Sequence, residues 1–178
     1  MDNIFSIGHG VKNIELFLRE LKSFEIYILV DVRSIPYSRR NPVFNTKTLE
    51  TELAKQGIKY DYWGNVLGGF PKDVSCYDAN GKVDYEILKT KEFFRKAIEN
   101  LVIVGKFGNN IALMCSESNP AQCHRAKLIG MELLPYNIIV RHIVGEGKEK
   151  DQKQVMLELT AGKGTANLFG HTGLRSRK

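Results

Sequence analysis

The densest chemistry in this chain lies in one stretch. Cys115-Ser116-Glu117 is soon followed by Asn119-Pro120-Ala121-Gln122-Cys123-His124-Arg125. A thiolate is both a nucleophile and a metal ligand. A histidine can move protons near neutral pH, and an arginine holds anions through a fixed fork of donors. Gly8-His9-Gly10 and Asp31-Val32-Arg33 add a second histidine, a carboxylate and another guanidinium. The roles these types suit are Cys115 or Cys123 as nucleophile and His9 or His124 as proton-transfer partner. Glu117 or Asp31 would orient a histidine, and Arg33 and Arg125 would hold a phosphate or another anion. Asn119 is a good N-cap and Pro120 suits a first helical position. Cys123 is therefore expected just inside a helix start, where the macrodipole and Arg125 both favour thiolate.

Plainer readings stand beside these. A cysteine at a strand end is often a small buried hydrophobe. His9 can be a packing residue, Asp31 and Arg33 a structural ion pair, and Glu117 a counter-charge to Arg125. Sharper motifs fail: the arginine position of a phosphatase-style Cys-x5-Arg loop is Ala121 counted from Cys115 and Ile129 from Cys123. Lys163 is followed by Gly164, so there is no P-loop, and no G-x-G-x-x-G follows the first strand. A mixed metal site from Cys115, Cys123, His124 and His9 is a minor alternative, because the spacing lacks a zinc signature. No metal is assigned from the sequence, and no cofactor is named.

The elements that must position these residues alternate. Ile4–Ile7 reads as a strand, and Asn13 caps a helix with Ile14, Phe17, Leu18 and Leu21 on one face. Ile26–Val30 is a second strand, and Asn45 to Gly57 brackets a second helix. Ile58–Tyr62 is a third strand. Trp63 to about Lys89 is a long irregular insertion whose aromatics favour an ordered flap, with Gly68-Gly69 bending it over a site or simply forming a turn. Phe94, Ala97, Ile98 and Leu101 mark a third helix. Ile111–Met114 is a fourth strand, Pro120–Leu133 a fourth helix, and Ile138–Ile143 a fifth strand. This order predicts an α/β fold: a mainly parallel, Rossmann-like sheet of about five strands with helices on both faces. Ligands bind such sheets beyond the carboxyl ends of the strands, and most of the unusual polar residues fall there. Residues 1–145 are expected to form a single α/β domain. Residues 146–178 would be an extension, a weak helix from Gln152 to Leu159 and then a Gly-rich basic tail.

Composition narrows the classes. A chain of 178 residues suits one domain. The three cysteines are too few for a disulfide framework, so reduced thiols and a cytoplasmic location are expected. No apolar run approaches a membrane span, and no signal peptide is expected. The net charge of +6 permits attraction to phosphate without demanding it. Between Arg33 and Asn45, Arg39 and Arg40 interleave with Tyr37 and Phe44. That mix suits phosphate contacts and base stacking, or simply a solvated loop anchored by Phe44. Arg175, Arg177 and Lys178 make the C-terminus basic.

In combination the motifs resemble the family called domain of unknown function 488. The residues that carry the likeness are Gly8-His9, Asp31-Val32-Arg33-Ser34 and Pro36 to Pro42 with Ser38-Arg39-Arg40-Asn41. Phe44, Leu67-Gly68-Gly69 and Cys115-x-Glu117 leading to Cys123-His124-Arg125 complete it. The likeness runs over about residues 4 to 143. It implies an α/β fold and a shared site at these residues, and it supplies no activity. One departure is Gly10, where such proteins often carry a serine or threonine.

Three functional classes follow. The first is an enzyme acting on a phosphate-bearing substrate, a nucleotide or a nucleic acid. The second is a non-catalytic nucleic-acid-binding module gripping phosphates through Arg39, Arg40 and the basic tail. The third is a redox or metal sensor built on Cys115 and Cys123. The first uses the Cys-His-Arg run and its acidic neighbours most fully.

Overall fold

A computed structural model describes residues 4–160. The basic tail from Arg175 to Lys178 lies outside the described residues. β1 (Ile4–Gly8) leads to α1 (Ile14–Ser23), whose first turn is capped by Asn13 accepting from Leu16 N at 2.8 Å. β2 (Ile28–Asp31), α2 (Thr46–Ala54) and β3 (Lys59–Tyr62) follow. The insertion is ordered, holding α3 (Gly64–Leu67), α4 (Tyr85–Leu88) and a bridge between Tyr77 and Val83. Then come α5 (Glu92–Lys106) and β4 (Ile111–Cys115). A broken helical stretch includes α6 (Met131–Leu133) and ends in a 3-10 turn, Leu134–Tyr136, and β5 (Arg141–Gly145), β6 (Lys148–Asp151) and α7 (Gln152–Leu159) close the described chain.

The sheet has six strands in the order β3-β2-β4-β1-β5-β6, parallel except for β6 against β5. Strand alternation sorts the core into two layers. Phe5, Ile7, Leu29, Ala112 and Met114 pack with Phe17, Leu21, Phe44, Leu49 and Leu53. On the other face Ile4, Val30, Ile111, Leu113 and Cys115 pack with Leu101, Leu128 and Leu133. The parity that buries Ile111 and Leu113 thus turns Cys115 toward the layer that holds Cys123. This is the α/β, Rossmann-like fold expected, with one strand more.

Three elements differ from the sequence reading. The extra strand, β6, is Lys148-Glu149-Lys150-Asp151; its charges give no apolar signal, and an edge strand accepts them. β5 starts at Arg141, since its pairing with β1 begins at Phe5, whereas Ile138 and Val140 are buried without belonging to the strand. The helix expected over Pro120–Leu133 is not continuous. A 3-10 turn, Pro120–Gln122, ends at Cys123, whose backbone is extended (φ −115°, ψ 148°). A buried π-helix, Arg125–Gly130, follows. Such wide turns recur at functional sites. Any thiolate at Cys123 must therefore be explained by a partner other than the dipole of a long α-helix.

Candidate functional site

β4 delivers Cys115 at its last residue, level with Gly8 of β1. The loop after it crosses the strand ends, and Asn119 turns it by accepting from Ala121 N at 2.9 Å. A side chain on Gly8 would meet the Glu117 carbonyl and the Arg125 guanidinium, so only glycine permits this crossing. Gly10 has φ +51° and packs against Ser118, which accounts for a glycine there.

His124 points its Nδ1 at both sulfurs, 3.8 Å from Cys115 Sγ and 3.6 Å from Cys123 Sγ. Its Nε2 lies 3.1 Å from the Val32 carbonyl oxygen. A carbonyl only accepts, so Nε2 carries the hydrogen, and in a neutral ring Nδ1 is a free lone pair aimed at the sulfurs. Glu117 Oε2 stands 3.4 Å from Cys115 Sγ and accepts from Ser116 Oγ at 3.2 Å. These groups face a pocket of about 220 Å³ with Arg33, Ser34, Ile35, Gly69, Phe70 and Tyr85 on its other walls. That is small beside the ~300–1,000 Å³ of sites that enclose whole ligands, so it suits one group of a larger substrate.

Behind the pocket Arg125 is 1% exposed. It donates to Cys123 Sγ (3.2 Å), Ser6 Oγ (3.3 Å) and the Glu117 carbonyl (2.5 Å). Among these acceptors only the sulfur can take a full negative charge, and a buried cation needs one. Burial opposes ionisation of Cys123, yet the Cys115 thiol and the Arg125 guanidinium hold its pKa well below the usual thiol value. Cys115 is pushed the other way, first by its hydrogen bond to Cys123 and then by burial. The two thiols are thus pushed apart, Cys123 toward the thiolate and Cys115 toward the thiol.

Arg125 is itself braced. Ser6 Oγ lies 2.7 Å from His142 Nδ1, and His142 Nε2 lies 2.8 Å from Gln152 Oε1. Gln152 donates its Nε2 to the Ala126 carbonyl at 2.9 Å. Burial and the Arg125 charge lower the His142 pKa to about 4.

The remaining expected residues are placed as follows. Asp31 clamps Arg33 through Nη2 (2.6 Å) and Nε (2.9 Å), and Tyr60 Oη donates to the same carboxylate at 2.8 Å. Arg33 lines the pocket, but its charge is already matched. His9 stacks on Phe44 with ring centroids 4.4 Å apart, and its Nε2 is 3.4 Å from Arg33 Nη1. Burial and Arg33 lower its pKa to about 4. It lies behind Arg33 and outside the pocket lining, whereas His124 lines the pocket. Gly68 packs on Ser34, and a Cβ on Gly69 would come within 3.1 Å of the His124 ring. Arg39 and Arg40 are exposed and do not line the pocket.

Sequence reasoning missed Tyr85, carried in by the insertion and buried in the pocket wall. It also missed the brace of Ser6, His142 and Gln152. A lone serine inside the apolar run Ile4-Phe5-Ser6-Ile7 was the available signal, since a buried hydroxyl needs a partner. Among the described residues, the Cys/His/Asp/Glu group whose ligand atoms all lie within 4.8 Å of one another is Cys115, Cys123 and His124, without His9. No helix among the described residues is long and apolar enough to cross a membrane.

Neither among curated proteins nor among solved structures is there a match to the chain. The model of the family described as Domain of unknown function DUF488 matches residues 13–131, which carry Arg33, Gly68, Gly69, both site cysteines, His124 and Arg125, and the chain belongs to that family.

Proposed function

We propose that this protein is an enzyme acting on a phosphate-bearing substrate, a nucleotide or the end of a nucleic acid. The observation that supports it most is the convergence of Cys115, Glu117, Cys123 and His124 on one small open pocket. A packing role needs none of these types, and a buried Arg125–Cys123 pair costs desolvation that a fold alone has no reason to retain. The substrate class rests on the rim. Ile35 and Phe70 are 74% and 54% exposed at the pocket, and the loop beyond Ile35 carries exposed Tyr37, Arg39 and Arg40. Aromatic faces beside arginines suit stacked bases and phosphates, while the pocket takes the reacting group.

The test is turnover of a panel of nucleotides and short oligonucleotides, read by mass spectrometry. Wild type is expected to convert at least one, and Glu117→Gln to slow that conversion strongly while keeping the fold. Salt-sensitive oligonucleotide binding without turnover, unchanged by Glu117→Gln and lost in Arg39→Ala/Arg40→Ala, would replace the enzyme by a binding module.

A further inference from the structure

We infer that Cys115, Cys123 and His124 hold one transition-metal cation of the zinc class, with a fourth position open to the pocket and overlooked by Glu117. This rests on reading the pocket as an active site, and adds its cofactor and reaction class.

Geometry carries the inference. A tetrahedral ion with Zn–S of about 2.3 Å and Zn–N of about 2.0–2.1 Å sets sulfur and nitrogen about 3.6 Å apart. The His124 Nδ1 to sulfur distances are 3.6 and 3.8 Å, and all three ligand atoms lie within 4.8 Å of one another. Nδ1 is the nitrogen left free, because Nε2–H is committed to the Val32 carbonyl. That is the outer-shell contact that fixes a metal-bound histidine. The donation from Arg125 Nε to Cys123 Sγ is likewise an outer-shell bond to a thiolate ligand. The flap passes close to the ring at Gly69, where an added Cβ would come within 3.1 Å of it.

Ligand chemistry sets the class of ion. Two sulfurs and an imidazole favour zinc over magnesium or calcium, which take oxygen ligands. Charge agrees. A divalent cation with two thiolates is neutral, and the added charges of Arg125 and Glu117 cancel.

Three protein ligands with a fourth position open distinguish a catalytic from a structural site. Glu117 is exposed and lies outside the three-atom cluster, yet its Oε2 is 3.4 Å from Cys115 Sγ. It is placed to reach what occupies the fourth position. The chemistry is hydrolysis. A water there, its pKa lowered to about 7, gives one proton to Glu117. Its oxygen bonds to the electrophilic phosphorus or carbon of the substrate. The bond to the leaving group breaks, and Glu117 returns the proton to that group.

The experiment is titration of the chelator-stripped, reduced full chain with Co(II), followed by absorption. The expected result is saturation at one ion per chain. Intense visible bands of tetrahedral cobalt and a near-ultraviolet thiolate-to-cobalt band should appear, and all should be lost in Cys123→Ser. Cys76→Ala, outside the site, should keep them, and azide should shift the visible bands by entering the open position. Folded wild type without these bands refutes the site, and bands indifferent to azide refute the open position. The two readings separate. Tetrahedral bands without turnover of the substrate panel remove the enzyme and leave the metal. Turnover that survives exhaustive chelation, with no bands, removes the metal and leaves the enzyme.

Discussion

Replacing His142 by glutamine should flatten the acid side of the stability profile. His142 is fully buried between Ser6 and Gln152. Because Gln152 Oε1 only accepts, Nε2 carries the hydrogen and Nδ1 receives the Ser6 hydroxyl. A second proton has no place there, and burial with the Arg125 charge lowers the pKa from 6.5 to about 4. Between those values the unfolded chain binds a proton that the native state refuses. Stability is therefore complete above the unfolded pKa and drains away as pH falls toward the folded one. Linkage makes the loss about 2 kcal/mol between about pH 7 and about pH 5, and about 3 kcal/mol in full. His9, lowered to about 4 by burial and Arg33, contributes a similar loss. Wild type should therefore lose about 4 kcal/mol from the two histidines over that interval, and His142→Gln about half as much. The assay is urea unfolding at constant ionic strength across the interval. Any other acid-labile interaction is common to both proteins, so the difference in slope isolates His142. Parallel profiles would show that His142 is charged in the native state, and the bracing of Arg125 would need another explanation.

Two further outcomes follow from the same contacts. Arg125→Met should cost about 3–5 kcal/mol, as removal of one partner from a buried charged pair does. Iodoacetamide alkylation of Cys123 in metal-free protein should also move to higher pH, and an unmoved profile would show that Arg125 does not hold the thiolate. Gly69→Ala should cost little stability while displacing the His124 ring, so Co(II) affinity should fall by about tenfold, in line with loss of an orienting contact. Unaltered affinity would mean that the flap does not position His124.

The sequence carried much of the fold. The spacing of Ile14, Phe17, Leu18 and Leu21 placed α1, and the apolar runs at Ile4, Ile26 and Ile111 placed the central strands. Burial on both faces leaves a continuous apolar run. β6 was invisible because an edge strand of alternating charges needs no apolar residues. The broken helix after Pro120 was invisible because its apolar spacing suits a π-helix nearly as well as an α-helix. The family likeness also stood in the sequence, since its motifs keep their order along the chain.

Residue types and their position past the strand ends brought Cys115, Glu117, Cys123 and His124 together in advance. Which way each side chain turns was decided only in three dimensions. Strand parity set Cys115 toward Cys123, and the Val32 carbonyl chose the free nitrogen of His124. His9 stacks on Phe44 and stands outside the cluster of Cys115, Cys123 and His124, and Asp31 matches the charge of Arg33. The brace from Gln152 through His142 and Ser6 to Arg125 joins residues far apart in the chain. Local spacing encodes elements, because periodicity is a property of neighbours. Hydrogen-bond partners across the sheet are fixed by packing, and no local pattern records them.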